Sequence, residues 1–188
     1  MNINHIKNNL NPKNIEKWEK AMHFINLMME RRGFHFEKQL DLLFFSFVNQ
    51  QKNAIVCIFP NDKLSIETLR EIIQFCENKR CRKMILVLQN AWSSNCKKIF
   101  ENLTFFSLDI FYLKEFQYDL TSLYYFVPHE KIHDAQLLSE IKKTYGSSLP
   151  VLSKNDTISR YYNFQKGDII KIHRNDFNIP TVSYRTVK

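Results

Sequence analysis

The residues best suited to chemistry are the five from His129 to His133, which match the pattern H-E-x-x-H. On one face of a helix, two histidines spaced in this way bind zinc while the glutamate polarises a bound water, as in metallopeptidases. The flanking residues disfavour that arrangement, because Pro128 precedes the pattern and Asp134, a good helix N-cap, follows it. We therefore expect the pattern to lie ahead of a helix and not inside one.

A zinc site would also need a third protein ligand, for which Glu140 and His173 are the downstream candidates. A zinc metallopeptidase stays an alternative, and polar residues of a surface or hinge are the simpler interpretation. A nuclease centre would need paired carboxylates and a lysine at strand ends, but Asp62 and Asp109 stand near predicted strands without such partners. With glycines only at positions 33, 146 and 167, glycine-rich nucleotide loops cannot be formed. We predict no catalytic residue, no cofactor and no metal.

The densest basic cluster consists of Lys79, Arg80, Arg82 and Lys83, between a predicted helix and a predicted strand. Cations at the end of a helix complement its dipole, which is the simplest interpretation. The same cations could instead contact phosphates, giving sequence-independent and salt-dependent binding of DNA. A nuclear-import patch is a third interpretation that composition does not separate from the other two.

The composition is that of a folded, basic protein: of 188 residues, 44% are apolar and 24% charged, and the net charge is +8. The charge favours encounter with a polyanion. No apolar stretch is long enough for a membrane span, and no secretory signal is present, so we expect an intracellular protein that does not associate with a membrane. The four cysteines form no C-x-x-C pair and are expected to be free thiols, with Cys57, Cys76 and Cys96 buried in apolar surroundings.

The first ~110 residues predict an α/β domain, because helices alternate with short apolar strands. A helix should begin at Pro12 and end before Gly33, and a second should run from Phe36 to Val48. The remaining elements are strands at 54–59 and 84–88, a strand within 106–112, and helices that begin after Ser65 and after Ser93 or Ser94. From Leu113 to Phe126 a short helix and an extended exit are expected.

The character of the chain changes near Pro128, which predicts two domains, 1–126 and 127–188. In the second, a helix should run from Asp134 to Gly146, and residues 149–152 should be extended. A short helix capped by Asp156 should end at Asn163, which accepts a left-handed conformation. Strands at 169–172 and 181–187, joined by a polar loop, should complete the domain.

The last thirty-three residues, from Asp156 onward, carry a resemblance. Asp156, Ile158, Arg160, Tyr161, Tyr162, Gly167, Ile169, Ile170, Lys171, Ile172 and Arg174, then Tyr184, Arg185 and Val187, are similar in type and spacing to the signature of the shared fifth subunit of eukaryotic RNA polymerases and its archaeal counterpart. The motifs Leu149-Pro150 and Phe126-Val127-Pro128-His129 resemble the family's upstream segments. The chain departs from the pattern at Thr157, at Asn163 and in the shorter loop 175–181.

The resemblance implies a polymerase subunit with no active site of its own. It implies an N-terminal, endonuclease-like α/β jaw domain that faces downstream DNA, and a small C-terminal α+β assembly domain that docks on the largest subunit. Lys171, Arg174, Tyr184 and Arg185 are the expected docking or stabilising residues, together with Arg160 and Ile172, whereas Gly167 is expected in a turn and Tyr161 in the core. Other polymerase subunits would be partners, and no small-molecule substrate is expected.

Localisation would follow origin: the nucleus for a cellular polymerase, and a cytoplasmic viral factory or the virion for a large DNA virus. The competing hypothesis from the residues themselves is a free-standing nucleic-acid-binding module, based on the charge of +8 and the basic cluster.

Overall fold

Two compact units, Met1–Tyr118 and Asp119–Lys188, make up the computed structural model. It describes residues 12–50, 52–60, 64–90, 92–101, 107–176 and 179–188. The division lies ahead of the change in composition at Pro128. Residues 119–126 group with the second unit, where Leu120–Ser122 forms a 3-10 turn that Asp119 caps.

A five-stranded sheet forms the first unit. In chain order the described elements are α1 (Pro12–Arg31), β1 (His35–Asp41), β2 (Phe44–Val48), β3 (Asn53–Phe59), α2 (Ile66–Asn78), β4 (Lys83–Leu88), α3 (Ser94–Glu101), β5 (Ser107–Tyr112) and a 3-10 turn (Leu113–Phe116). The strand order in the sheet is β1-β2-β3-β4-β5, and β3, β4 and β5 are parallel, which confirms the alternation of strands and helices expected from the sequence. Strand β4 is buried along its whole length, as helix-covered parallel strands are.

The helix predicted from Phe36 to Val48 is wrong, because this segment forms the antiparallel hairpin β1–β2. Apolar residues three and four apart suggested a helix, yet the same residues also include several aromatics that suit a strand. Pairing decided the outcome: Phe36 stands opposite Phe47 with ring centroids 5.6 Å apart, and β2 pairs with the buried strand β3. The ring of Phe44 stacks on Phe75 of α2 at 4.0 Å.

Helix α1 begins and ends where the sequence indicated. At its end Phe34 N–H donates to the Met29 carbonyl and Gly33 N–H to the Glu30 carbonyl, the paired bonds of a Schellman cap. Gly33 has φ 77°, a conformation in which a glycine carries no Cβ penalty. The buried side of α1 includes Ile25 and Met28, both with no solvent exposure.

The described elements of the second unit after residue 128 are β6 (His129–Lys131), α4 (Ala135–Tyr145), a 3-10 turn (Gly146–Ser148), β7 (Val151–Leu152), α5 (Thr157–Tyr162), β8 (Ile169–Asp176) and β9 (Ile179–Val187). The four strands form one sheet in the order β6-β8-β9-β7. Asp134 caps α4 by accepting from Gln136 and Leu137 N–H, and Asp156 caps α5 by accepting from Ile158 N–H. Both caps agree with the sequence analysis.

Both faces of this sheet carry a small core. On one face Ile170 and Ile172 pack in a cluster with Phe164, Leu152 and Val187. Neighbouring Ile169 belongs to a second cluster, with the buried residues Ile132, Ile141 and Leu149. Because successive residues of a strand point to opposite faces, one strand serves both clusters. The unit therefore combines helices with one sheet, as predicted, and packed side chains cover both faces of that sheet.

Strands β8 and β9 are longer than predicted. Pairing continues from Ile169 opposite Thr186 as far as Asp176 opposite Ile179, so Pro180 lies in β9 and not in a loop. Residues 177 and 178 lie outside the described residues. Thus the polar segment expected at 175–181 is largely a projecting part of the β8–β9 hairpin, because ladder pairing overrides its polar composition.

All four cysteines are free and buried, as expected for three of them from their apolar surroundings. Cys81, the fourth, donates its thiol to the Lys83 carbonyl at 2.7 Å. Burial raises the pKa of the Cys57 thiol far above its ordinary value. Within the described ranges, no helix is both long and apolar enough to cross a membrane.

Candidate docking and nucleic-acid interface

The basic cluster follows the end of α2, where the chain turns into β4. Arg80 N–H donates to the Glu77 carbonyl and Cys81 N–H to the Cys76 carbonyl, so the turn is a Schellman cap. Arg80 occupies the left-handed position with φ 50°, which is usually given to glycine. A non-glycine residue there costs about 1–2 kcal/mol of strain.

Three of the four predicted cations lie at the surface. Lys79, Arg80 and Arg82 are exposed, and the Lys79 ammonium lies 5.8 Å from the centroid of the Phe75 ring. These side chains are placed where phosphates could reach them. They are also near a helix C-terminus, which favours positive charge, so the geometry suits both interpretations of the cluster.

Lys83 does not belong with these cations, because it is buried at the start of β4. Its Nζ atom lies 3.0 Å from Oδ2 of Asp109, and the same oxygen accepts from Nη1 of Arg32 at 2.8 Å. The side chain of Lys83 is only 9% exposed. Lys83 therefore serves the interior of the first unit, and the surface cluster is reduced to Lys79, Arg80 and Arg82.

The cluster of Arg32, Lys83 and Asp109 was missed from sequence. In the sequence analysis Asp109 was considered only as a potential nuclease carboxylate and Lys83 only as part of the basic cluster. The register of the parallel sheet sets Lys83 opposite Ser107, two residues from Asp109 on its strand. The Arg32 guanidinium also lies 5.7 Å from the centroid of the Phe111 ring. No local pattern connects residues so far apart along the chain.

The H-E-x-x-H pattern lies on strand β6 and its exit, ahead of α4 as the sequence indicated. In a strand His129 and Glu130 point to opposite faces, so they cannot act together as in a helical zinc site. His129 Nδ1 contacts the Val127 carbonyl at 2.6 Å, and Glu130 lies 3.4 Å from His173 Nε2. Among the residues that the structure describes, no three His, Cys, Asp or Glu side chains gather to hold a metal ion.

His129 titrates below its ordinary range. Burial lowers the pKa of its imidazole, and the positive charges of Arg174 and Arg185 lower it further. The hydrogen bond to Val127 and the charge of Asp156 act in the opposite direction but do not reverse the shift. The folded chain therefore favours the neutral imidazole at this position of β6.

Part of the C-terminal motif serves the fold of the second unit. Tyr161 and Ile172 are buried, and Gly167 has φ 88° in the turn before β8, where its N–H donates to the Val187 carbonyl at 2.9 Å. Asn163 ends α5 with φ 58° and ψ 41°, the left-handed cap expected from the sequence. These four positions support the sheet and its turns.

The charged part of the motif lies closer to solvent. Arg174 is exposed on β8, whereas Lys171 is half-buried between Glu130 and Tyr184, its partners on the two neighbouring strands. Arg185 is half-buried, and its Nη1 donates to the Val151 carbonyl at 3.3 Å. Tyr184 packs against the cluster that contains Ile132 and Ile169. Arg160, on α5, is also half-buried.

Beyond Arg174 the hairpin carries exposed apolar side chains that were missed from sequence. Ile179 is 63% exposed and Val182 is 49% exposed. Because they are three residues apart on one strand, the two side chains lie on opposite faces of the hairpin. The alternation of apolar and polar residues in β9 could have predicted the full length of this strand, but residues 179 and 180 were predicted to lie in a loop.

Comparisons with known proteins now bear on this unit. The profile of the RNA polymerase Rpb5 C-terminal domain matches residues 122–187. The second unit is similar to the Rpb5 C-terminal domain over almost its whole length. The resemblance identified in the sequence to the shared fifth polymerase subunit is therefore confirmed.

Relatives extend the similarity into the first unit. Over 188 residues the chain is 28% identical to protein 454R of Invertebrate iridescent virus 6, whose name describes a DNA-directed RNA polymerase subunit; this covers 91% of the chain and 100% of the viral protein. It is 26% identical over 140 residues to DNA-directed RNA polymerase V subunit 5A of Arabidopsis thaliana, covering 72% of the chain. The subunit RPABC1 of RNA polymerases I, II, and III from Caenorhabditis elegans is 26% identical over 121 residues, covering 62% of the chain.

The plant and nematode relatives are matched over 63% and 57% of their own lengths, respectively. Within the Rpb5-type unit of this chain, the departures noted in the sequence leave the fold intact. Thr157 opens α5 directly after the cap residue Asp156, and Asn163 closes it in the left-handed conformation. The shorter segment after Arg174 is accommodated by continuous pairing of β8 with β9.

Proposed function

We propose that this chain is a non-catalytic subunit of a multisubunit DNA-dependent RNA polymerase. The observation that carries the proposal is the Rpb5 C-terminal domain match over 122–187, which coincides with the second compact unit, Asp119–Lys188. The virus, plant and nematode relatives whose names describe polymerase subunits support it. The subunit would act through binding, with the two-metal chemistry supplied by other subunits.

The second unit is proposed to dock on the largest subunit and so to act as an assembly domain. The surface we assign to docking is the projecting part of the β8–β9 hairpin, where Arg174 and Ile179 are exposed on one face and Val182 on the other. Arginine is among the residues enriched at binding hot spots. Lys171, Tyr184 and Arg185 would contribute mainly by holding this hairpin to the rest of the sheet.

The first unit is proposed to form part of a jaw around downstream DNA, contacting phosphates through Lys79, Arg80 and Arg82. Support comes from the strained conformation of Arg80. Glycine would avoid the strain at φ 50°, so an arginine there suggests that its charge is used. Three phosphate contacts would give sequence-independent binding that weakens as salt rises.

The compartment follows from the source of the polymerase. A cellular polymerase would place the chain in the nucleus, and a viral one in a cytoplasmic factory or the virion. The full-length coverage of the iridescent virus protein and the partial coverage of the plant and nematode subunits are compatible with either.

Affinity purification of the tagged full chain from its source tests the proposal. The largest polymerase subunit should be recovered in stoichiometric amount, together with the second-largest one, and the complex should support DNA-templated RNA synthesis. Recovery of the chain alone, under conditions that keep the polymerase intact, would refute it. An untagged source extract passed over the same resin serves as the control.

A free-standing nucleic-acid-binding module is the second candidate, favoured by the three exposed cations after α2. It requires that the purified chain alone bind DNA tightly at physiological salt. The polymerase proposal instead expects weak binding by the isolated chain, because three phosphate contacts supply little affinity without the rest of the jaw.

A further inference from the structure

Two of the four cysteines lie together beneath the turn that ends α2. Cys76 and Cys81 occupy the two positions whose side chains commonly make contact in a Schellman cap. The backbone N–H of Cys81 donates to the Cys76 carbonyl at 3.0 Å, and the Cys76 thiol donates a hydrogen bond to the sulfur of Cys81. Neither thiol has a role in the function proposed above.

The pair is placed as a disulfide requires. Disulfide formation needs Cα atoms within about 7 Å of each other and side chains that point toward each other. Backbone bond lengths and the 3.0 Å hydrogen bond keep the Cα atoms of Cys76 and Cys81 within that distance. The hydrogen bond between the thiols brings the two side chains together. A disulfide could therefore form with little rearrangement of the backbone.

The two thiols differ in how readily they ionise. The hydrogen bond from Cys76 lowers the pKa of the Cys81 thiol; burial opposes this change, but backbone groups of Lys83 and Ile55 add to the lowering. The same hydrogen bond, together with burial, raises the pKa of the Cys76 thiol. Because the thiolate is the form that reacts with oxidants, Cys81 is the thiol that reacts first.

Cys81 lies where a small oxidant can reach it. It is 5% exposed, whereas Cys76 has no exposed surface, and its neighbours Arg80 and Arg82 lie at the surface. Arg80 occupies the left-handed position with φ 50°, and this strain lowers the free energy needed to open the cap locally. Opening of residues 80–82 alone would uncover the sulfur of Cys81.

We propose that Cys76 and Cys81 form a dithiol that hydrogen peroxide oxidises to a disulfide. The Cys81 thiolate attacks one oxygen of the peroxide, which gives a sulfenic acid on Cys81 and releases hydroxide; the hydroxide becomes water with the proton that Cys81 lost. The sulfur of Cys76 then attacks the sulfur of Cys81, and the sulfenic hydroxyl leaves as water with the Cys76 proton. In total the two thiols lose two electrons and two protons, and one peroxide becomes two waters. A thiol reductant reverses the change.

The disulfide would fasten the cap that presents the exposed cations after α2. A covalent bond between residues 76 and 81 prevents the local opening that uncovers Cys81. Exchange of the Cys81 backbone N–H with solvent deuterium should therefore slow at least tenfold in the oxidised chain. The dithiol does not depend on the polymerase proposal.

Peptide mapping of the peroxide-treated full chain tests the proposal, with trypsin digestion under non-reducing conditions. Because trypsin cleaves after lysine and arginine, the disulfide joins peptide 71–79 to the dipeptide 81–82. A bond between Cys76 and Cys57, whose charge also raises the pKa of Cys76, would instead join peptide 53–63 to 71–79. The first product should form in the folded chain and disappear when dithiothreitol is added.

Variants separate the roles of the two thiols. Cys76→Ala removes the second thiol, so Cys81 should accumulate sulfenic acid that dimedone traps. Cys81→Ala leaves only the buried thiol of the pair and should be oxidised at position 76 at least tenfold more slowly than wild type. Cys96→Ala, outside the pair, is the matched control and should form the disulfide at the wild-type rate. Circular dichroism before treatment checks that each variant is folded.

Three results would overturn the proposal. Four intact thiols in the folded chain, at a peroxide concentration that oxidises them in urea, would show that the pair is inert. A product joining 71–79 to 81–82 that forms only in urea would show that the fold does not favour the bond. A product that contains peptide 53–63 would assign the bond to Cys57.

Discussion

Nη1 of Arg32 lies 2.8 Å from Oδ2 of Asp109, joining the residue after α1 to strand β5 across 77 positions of sequence. Lys83 shares the same oxygen at 3.0 Å. The side chains of Arg32 and Lys83 are almost wholly buried, and that of Asp109 is 21% exposed. The carboxylate of Asp109 is therefore shared by two cations inside the first unit. Its removal should lower the free energy of unfolding of that unit.

Asp109→Asn should destabilise the first unit by about 3 kcal/mol, because two largely buried cations lose the carboxylate that they share. Urea unfolding followed by the fluorescence of Trp18 and Trp92, both in this unit, measures the change. Arg82→Gln, at an exposed neighbouring position, is the control and should change stability by less than about 0.5 kcal/mol. Equal midpoints for Asp109→Asn and Arg82→Gln would show that the cluster contributes no stability.

Arg80→Gly should raise stability and lower DNA affinity at once. Glycine relieves the strain at φ 50°, for a gain of up to about 1 kcal/mol, while the loss of one phosphate contact should reduce the salt slope of DNA binding by about one. Arg80→Gln is the matched control, since it removes the charge and keeps the strain. It should weaken DNA binding equally without raising the unfolding midpoint. DNA binding is measured by fluorescence anisotropy across a salt series; unchanged slopes in both variants would remove Arg80 from the DNA-binding surface.

His129 should make the second unit less stable in mild acid. Its pKa is lower in the folded chain than in the unfolded one, where the usual value is about 6.5. As pH falls through that value the unfolded chain takes up the proton first, so stability present above about pH 6.5 is progressively lost. His129→Gln should flatten this dependence between pH 7.5 and 5.5.

Urea titrations at each pH, read from the methyl resonances of Ile170 and Ile172, report on this unit specifically. His133→Gln, at an exposed position beside the same strand, is the control and should retain the wild-type dependence. A His129→Gln chain that still loses as much stability as wild type on acidification would contradict the assignment.

Val182→Asp should impair assembly with the polymerase without unfolding the chain. Val182 is 49% exposed on the projecting hairpin, so an aspartate there costs little in the isolated subunit but would be buried at the proposed docking surface. Recovery of the largest subunit with the tagged variant should fall at least tenfold. Lys154→Asp, exposed elsewhere on the same unit, should retain wild-type recovery; equal recovery from both variants would move the docking surface away from the hairpin.

The sequence alone predicted the structural features that depend on residues close together along the chain. Helix ends at Gly33 and Asn163 and the cap at Asp134 follow from the conformations and hydrogen bonds of single residues, which neighbours along the chain largely determine. The buried strands β3 and β4 were recognisable as short apolar runs. The spacing of Arg160, Gly167 and Lys171 was enough to identify the Rpb5-type unit, because the signature lies within one stretch of chain.

Tertiary structure decided what depends on distant partners. Residues 36–48 fit a helical period, yet they form a hairpin because β2 pairs with β3 and buries its aromatics there. From the sequence Lys83 was predicted to be one more surface cation. The parallel register of β4 and β5 places it next to Asp109 instead. By itself the sequence determined the caps, the core strands and the family, whose signals are local; the ion cluster and the hairpin required the whole fold, since their energies come from contacts between residues far apart in the chain.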